Sequence, residues 1–344
     1  MSGTEQPRKS VTLRDIAMET GFSINTVSHA LKDKPDISVA TKNQIRQAAE
    51  RLEYIVNISA SSLRSGRSQT IAIILGDISN PHFAISVKQI ESEIRKLGYT
   101  AIIFNTDEDP AIERKAIITA LSQKVDGIII CPTQNSPDNI HFLQKSGVLF
   151  VLLGRHFPNQ KSNSIIADDH QGGFLATTHL LEQGHQRILF LNGPIYISSA
   201  TERLAGYRQA LREYMVSEDP TLIQTISITT GKNIERMNRI LLGRKDYSAV
   251  VAFSDLIALE VINILASNGR RVPEDISVIG FDNIQSQFIM PTHLTSVSTA
   301  KMTMASKAVE ILFHQINRTD AVSETIQVVL PARLIKRNTT QAVS

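Results

Sequence analysis

Apolar residues recur along this chain with two different periods, and the change of period divides it. Between Val11 and Arg51 they return every three or four residues, the spacing of helices that each bury one face. The segment TLRDIAMETGFSINTVSHAL predicts two short helices around a tight turn. Thr12, with Asp15 three residues on, has capping-box spacing and starts a helix over Leu13–Thr20. Gly21 supplies the turn because it adopts positive φ at little cost, and Ser23 caps a second helix over Ile24–Leu31. A third follows Ser38, with Ile45, Ala48, Ala49 and Leu52 toward the core. From Thr70 onward short apolar runs alternate with amphipathic stretches. The runs are TIAIIL, YTAIIFN, DGIIICP and VLFVLL, then RILFLN, IQTISI, SAVVAF and DISVIGF. Between them lie helical patterns such as FAISVKQIESEIRKLG and LIALEVINILASNG. Continuous β-branched strands separated by helices predict buried parallel sheets, here in two sets that meet near Asp168. Ligands bind such sheets at the carboxyl ends of the strands, so a site is expected in the cleft between two lobes.

Composition adds limits. With 344 residues the chain exceeds one ordinary core, and 42% apolar with 20% charged residues is a globular balance. No run approaches a membrane span, and the polar start MSGTEQPRKS lacks the apolar stretch of a secretory signal; an intracellular protein is expected. Cys131 is the single cysteine, inside an apolar run, and reads as a buried thiol. The net charge of +3 is uneven: residues 1–68 carry ten Lys/Arg against seven Asp/Glu, while the remainder is balanced. That is a modest footprint for a polyanion.

Laid out at 100° per residue, the second helix places Ile24, Ser28, Asn25 and His29 on one face. Thr26, Ala30, Val27 and Leu31 fall on the other, able to pack on Ile16, Ala17 and Ile45. The first face suits a major groove: Ile24 for a thymine methyl, Asn25 for adenine, His29 as a donor to guanine N7 or O6. A small bundle with a solvated face is the alternative reading of the same pattern. The following EYIVNISASSLRSGRSQT has marginal helix content and a basic, flexible end, the makings of a segment that folds against a partner.

With these residues together, Val11–Arg64 resembles the DNA-binding region of the LacI/GalR family of bacterial regulators, through TVSHAL, LEYIVN and ASSLR. The resemblance continues to about Arg337, through NPHF, NGPIYISSATERLAGY, FSDLIAL, VPEDISVIGFDN and LPARLIKR. It implies an α/β fold: an N-terminal all-α helix-turn-helix domain plus hinge helix, then two doubly wound parallel-sheet lobes of periplasmic-binding-protein type. The expected divisions are 1–56, 57–68 and 69–344, the first lobe holding about 69–168 and 300–326 and the second about 169–299 and 327–340. A late helix over about Lys301–Ile316 returns to the first lobe. Leu63 from each subunit of a homodimer would wedge into the minor groove of a palindromic operator and kink it, with Asn57, Ala60 and Arg64 nearby. Val56 departs from the family's usual proline. Phosphate contacts are assigned to Thr12, Ser23, Thr26, Ser38 and Tyr54.

For the cleft the resemblance implies effector contacts at Phe83, Ser199, Arg203 and Asp282, with Arg155, Ile228 and Asp255 beside them. Asp77, Arg155 and Asp168 also end strands, and Arg203 with the aspartates would suit a polyhydroxylated ligand. Asp255, before a helix, reads equally as a cap, and His82 as a solvated loop residue. Ile197 stands where some relatives carry a long polar contact. A sugar or sugar derivative is the expected effector, a purine-like ligand the alternative. The chain stops at Ser344 without a heptad tail, so a dimer is expected. A solute-binding protein and an enzyme are the competing classes. No GxGxxG after a strand, GxxxxGK[ST], GxSxG or metal spacing is present. The expectation is a cytoplasmic repressor, on the nucleoid when DNA-bound, with no cofactor, no catalytic residues and no membrane.

Overall fold

A computed structural model describes residues 11–55, 66–229, 231–318 and 325–343. The chain divides into two compact units, one ending at Ser68 and one beginning at Gln69.

In the first unit α1 (Leu13–Thr20), α2 (Ile24–Leu31) and α3 (Val39–Arg51) enclose a small core of Ile16, Val27, Ala30, Ile45 and Ala48. Eight-residue helices are marginal alone, so their ends matter. The Thr12 amide and hydroxyl both donate to the Asp15 carboxylate at 2.7 Å. Gly21 closes α1 at φ 74°. Ser23 Oγ accepts from the Thr26 amide at 3.1 Å, and Ser38 Oγ from the Thr41 amide at 3.2 Å. The outward face of α2 is narrower than the helical wheel predicts. Ser28 is only 9% exposed, because α1 and α3 both pack on this helix and cover more of its circumference. The hinge assignments at Asn57, Ala60, Leu63 and Arg64, with Val56, lie outside the described residues.

The second unit holds two six-stranded sheets. The first combines β1 (Thr70–Leu75), β2 (Thr100–Asn105), β3 (Gly127–Ile130), β4 (Phe150–Leu153), β5 (Ser164–Ala167) and β11 (Gln327–Leu330) in the order β11-β5-β4-β3-β1-β2, all parallel. Helices α4 (Pro81–Lys96) and α11 (Lys301–Ile316) pack on one face, α5 (Pro110–Ser122) and α6 (Asp138–Ser146) on the other. The second sheet combines β6 (Ile188–Asn192), β7 (Ile223–Thr225), β8 (Ala249–Ala252), β9 (Ser277–Phe281), β10 (Thr295–Ser298) and β12 (Arg333–Ile335). Its order is β12-β10-β9-β8-β6-β7, parallel except for β12. Helices α7 (Asp169–Glu182) and α8 (Ser198–Glu213) cover one face, α9 (Ile234–Leu242) and α10 (Asp255–Ser267) the other.

The chain passes between the sheets at Asp168, at Thr299–Ala300 and at Pro331–Ala332. The last passage corrects the expectation that 327–340 belongs wholly to the second lobe. Val328 pairs with Ile165 in the first sheet, and only Leu334 lies in the second, opposite Val297. Val328 and Leu330 pack on the first core, while Pro331, which has no amide hydrogen to offer a ladder, separates the two strands.

One helix contact sets the geometry of the cleft. A Cβ on Gly173 would overlap the Arg203 carbonyl oxygen, and one on Gly206 would overlap that of His170. The backbones of α7 and α8 therefore approach more closely than side chains allow, which brings Arg203 against Asp169. Alanine has the higher helix propensity by about 1 kcal/mol, but the steric cost of overpacking, about 1–3 kcal/mol or more, exceeds it. Gly206→Ala is accordingly expected to lower the thermal midpoint by several degrees in scanning calorimetry, where propensity alone would raise it.

Candidate functional site

Between the carboxyl ends of the two sheets lies a cavity whose open space, mouth included, is about 900 Å³. Phe83 and Arg155 line it from the first lobe, and Ser199, Arg203, Ile228 and Asp282 from the second. These six positions were all singled out from the sequence. Two others were misplaced. Asp168 caps α7, its Oδ1 accepting from the Gln171 amide at 2.8 Å, and the next residue, Asp169, lines the cavity instead. Asp255 lies beneath the wall: Ser296 Oγ and the Ile284 amide donate to its two oxygens at 2.6 and 2.8 Å. The cap of α10 is Ser254, which accepts from the Ile257 amide and itself faces the cavity.

Both arginines have carboxylates of their own. Arg155 is bidentate to Glu108 at 2.7 and 2.9 Å and donates to the Pro132 carbonyl at 2.9 Å. Arg203 Nε donates to Asp169 at 2.8 Å and Nη1 to the Phe253 carbonyl. Its guanidinium carbon lies 4.7 and 4.2 Å from the ring centres of Phe253 and Phe281. Glu108 was not foreseen. It follows Asp107, and both residues have positive φ, 51° and 59°; a Cβ at Gly76 would overlap its carboxylate. A glycine admitting a distant glutamate leaves no local signature.

The lobes meet around Asp282. Its φ of 101° and that of Asn283, 50°, belong to the region where non-glycine residues pay of order 1–3 kcal/mol. Fixed contacts hold them there. Lys301 Nζ donates to the Asp282 and Asn283 carbonyls at 2.6 and 2.9 Å, the Asn283 amide donates to Ser296 Oγ at 2.9 Å, and Arg337 donates to Asn283 Oδ1 at 2.6 Å. His82 is not the solvated loop residue expected. Its Nδ1 lies 3.3 Å from Asp282 Oδ1 across the cleft, without the alignment of a hydrogen bond. Burial lowers its pKa, opposed by the charge of Asp282. Cys131 is buried as expected, its thiol pushed up to about 12 by burial.

The opposite rim is joined by Gln134, also unforeseen. Ile197, at the cap position of α8, is buried and offers no side-chain acceptor. Gln134 Oε1 from the first lobe accepts from the Ser198 amide and hydroxyl at 2.9 and 3.2 Å, and Gln134 Nε2 donates to the His156 carbonyl at 2.7 Å. The helix that carries Ser199 and Arg203 is thus capped from the other lobe.

In the first unit, Ile24 and Asn25 are exposed on α2, and His29 is partly so. His29 Nδ1 sits 2.6 Å from Asp36 Oδ2. This hydrogen bond is the main cause holding the Asp36 carboxyl below its usual pKa. Because an ionised carboxylate only accepts, Nδ1 is the donor and Nε2 the free edge. Thr12, Ser23 and Ser38 are exposed, and Thr26 and Tyr54 half-buried.

Residues 12–57 match the family model described as bacterial regulatory proteins, lacI family, and residues 177–340 the periplasmic binding protein-like domain. The HTH-type transcriptional repressor PurR of Haemophilus influenzae (strain PittEE) is 28% identical over 335 residues, 96% of this chain and 99% of that protein. The HTH-type transcriptional regulator GalR of Escherichia coli (strain K12) is 32% identical over 302 residues, 87% and 88%. Among solved structures, a lac repressor dimer bound to operator and the anti-inducer ONPF aligns with a TM-score of 0.83 at 25% identity, covering 97% and 100%. The complex of the transcriptional regulator CelR with cellobiose aligns at 0.71 with 27% identity, covering 96% and 99%.

The buried Asp255 yields a pH signature. Burial, then the charge of Asp282, raises its pKa from 3.8 to about 8 against the hydrogen bonds from Ser296 and Ile284. The folded chain therefore keeps a proton that the unfolded chain has lost, and stability falls as pH rises through that window. Asp255→Asn, which cannot ionise, is expected to lose less of its thermal midpoint than the parent between pH 5 and pH 8. Parallel melting curves across that range would refute the assignment.

Proposed function

Since the chain belongs to the LacI family of bacterial transcriptional regulators, we propose that α2 reads operator DNA and that the cleft holds a sugar-like effector that sets operator affinity. The supporting observation is that both lobes furnish the cleft wall, with Phe83 and Arg155 facing Ser199, Arg203 and Asp282. A ligand touching both lobes binds one lobe arrangement better than another and shifts the population toward it. If the same arrangement alters the spacing of two hinge segments in a homodimer, operator affinity follows, and the coupling is reciprocal. Such a regulator works by binding, without a reaction, in the cytoplasm and on the nucleoid. The relative solved with cellobiose favours a sugar; a purine-type effector is the second reading, through stacking on Phe83.

On the DNA side, Ile24 and Asn25 face a thymine methyl and an adenine. His29 is revised. With Nδ1 committed to Asp36, the neutral ring presents Nε2 as an acceptor, suited to the amino group of cytosine or adenine. Only the imidazolium donates to guanine. Ser28, being buried, is withdrawn from base contact. Thr12, Ser23, Thr26, Ser38 and Tyr54 are assigned to phosphates, and Asn57, Ala60, Leu63 and Arg64 to the minor groove, on the family resemblance.

Two variants separate the halves of this reading. Leu63→Ala is expected to weaken specific operator binding at least tenfold in a mobility-shift titration while sugar affinity stays within twofold; equal operator affinity would remove the wedge. Asp282→Asn keeps a side chain tolerant of positive φ and is expected to abolish the effector response with operator binding retained. A thermal-shift panel of sugars, nucleosides and purine bases identifies the class, since a ligand at a hundred times its Kd stabilises by about 2.7 kcal/mol.

A further inference from the structure

Among the described residues, every cationic feature bordering the cleft already has a negative or oxygen-bearing partner within the protein. Arg155 and Arg203 are paired with Glu108 and Asp169. The Lys301 ammonium is turned onto the backbone carbonyls of Asp282 and Asn283. Helix N-termini are the other common anion sites, and four of them open toward the cleft lining with acceptors in place. Asn80 caps α4 by accepting from the His82 amide at 2.9 Å, Asp168 caps α7, Ser254 caps α10, and Gln134 caps α8 from across the cleft. Carboxylates meanwhile exceed guanidinium groups in the wall: Asp77, Glu108, Asp169 and Asp282 against Arg155 and Arg203. His82 does not redress the balance, since burial disfavours its charged form.

The polar groups left over are a carboxylate, a hydroxyl and a ring nitrogen, His82 Nδ1, none of them a cation. The Asp282 carboxylate receives no hydrogen bond in the described structure, its neighbour His82 being misaligned. Thr299 Oγ1, in the same wall, is buried without a partner. A ligand hydroxyl can donate to the Asp282 carboxylate and either donate to or accept from Thr299 Oγ1, and the aromatic face of Phe83 offers an apolar flank. A phosphate or carboxylate there would meet like charge in a poorly solvated space, where such juxtaposition is strongly penalised.

Resting on the reading of this cleft as the effector site, we propose that the effector is an uncharged, hydroxyl-rich molecule and that phosphorylated or carboxylated forms of it are excluded. The protein thereby distinguishes a free sugar from its phosphate ester through the occupancy of its own cations rather than by size.

Calorimetric titration of the full chain tests this with matched pairs, ribose with ribose 5-phosphate and glucose with glucose 6-phosphate, together with cellobiose and inorganic phosphate. The neutral member of a binding pair is expected to bind at least about 100-fold more tightly than its ester, and millimolar inorganic phosphate to give no binding heat. Glu108→Gln, which strips Arg155 of its carboxylate, is expected to gain phosphate binding. Asp169→Asn asks the same of Arg203 should the first variant not fold. An ester that binds as tightly as its parent sugar, or phosphate heat in the parent chain that sugar suppresses, overturns the proposal while leaving the regulator reading intact. If no sugar binds and phosphate gives no heat, the exclusion of anions stands and the sugar reading fails.

Discussion

Two guanidinium groups lie in the wall of the cleft, cut off from bulk water, and most of the site follows from what compensates them. An ion removed from water costs several kcal/mol unless a partner is held in good geometry. Glu108 and Asp169 provide that geometry at 2.7–2.9 Å, and each pairing requires something of the backbone. Asp169 meets Arg203 only because glycines at 173 and 206 let α7 and α8 approach closely. Glu108 meets Arg155 only because two consecutive residues adopt left-handed backbone and Gly76 leaves room. The pairs fix the positions of α8 and of the loop after β2, and under the proposed exclusion of anions they set which ligand charges the cleft accepts.

The same economy governs the lobe junction. Asp282 holds an unfavourable backbone conformation because Lys301, Ser296 and Arg337 secure it and its neighbour. Lys301 begins the helix that returns to the first sheet, so the second-lobe loop bearing Asp282 is tied to a first-lobe element. On the far rim, Gln134 completes the first turn of α8. Opening the cleft there would expose an uncapped helix end, and a ligand bridging the lobes would act on a closure that already has polar contacts at both rims.

Much of this was legible along the chain. The ends of α1 and α2 are written in Thr12, Asp15, Gly21 and Ser23, since capping and turn chemistry are local. Continuous β-branched runs marked the strands, strand ends marked Asp77 and Arg155 in the cleft, and the family resemblance marked Phe83, Ser199, Arg203, Ile228 and Asp282. What escaped depends on distant partners. Thr295–Ser298 is a polar strand with no apolar run to announce it; Thr295 and Ser296 are buried because Thr339 and Asp255 supply their hydrogen bonds. Asp168 and Asp169 are adjacent, and only the register of α7 decides which one caps and which one faces inward. Gln134 and Glu108 have no motif at all. The strands β11 and β12 are so close in sequence that they read as one segment, yet Pro331 divides them between the two sheets.

The proposed function requires thermodynamic linkage between the cleft and the DNA-reading face. It is tested most directly by titrating the sugar into the free chain and into the chain saturated with operator, alongside operator titrations with and without that sugar. Linkage predicts that the ratio of the two sugar affinities differs from one and that, with two clefts in the operator-bound homodimer, its square equals the ratio of the two operator affinities. Sugar affinity that is the same with and without operator would show that the cleft does not communicate with the DNA-binding helices and would contradict the proposed regulation.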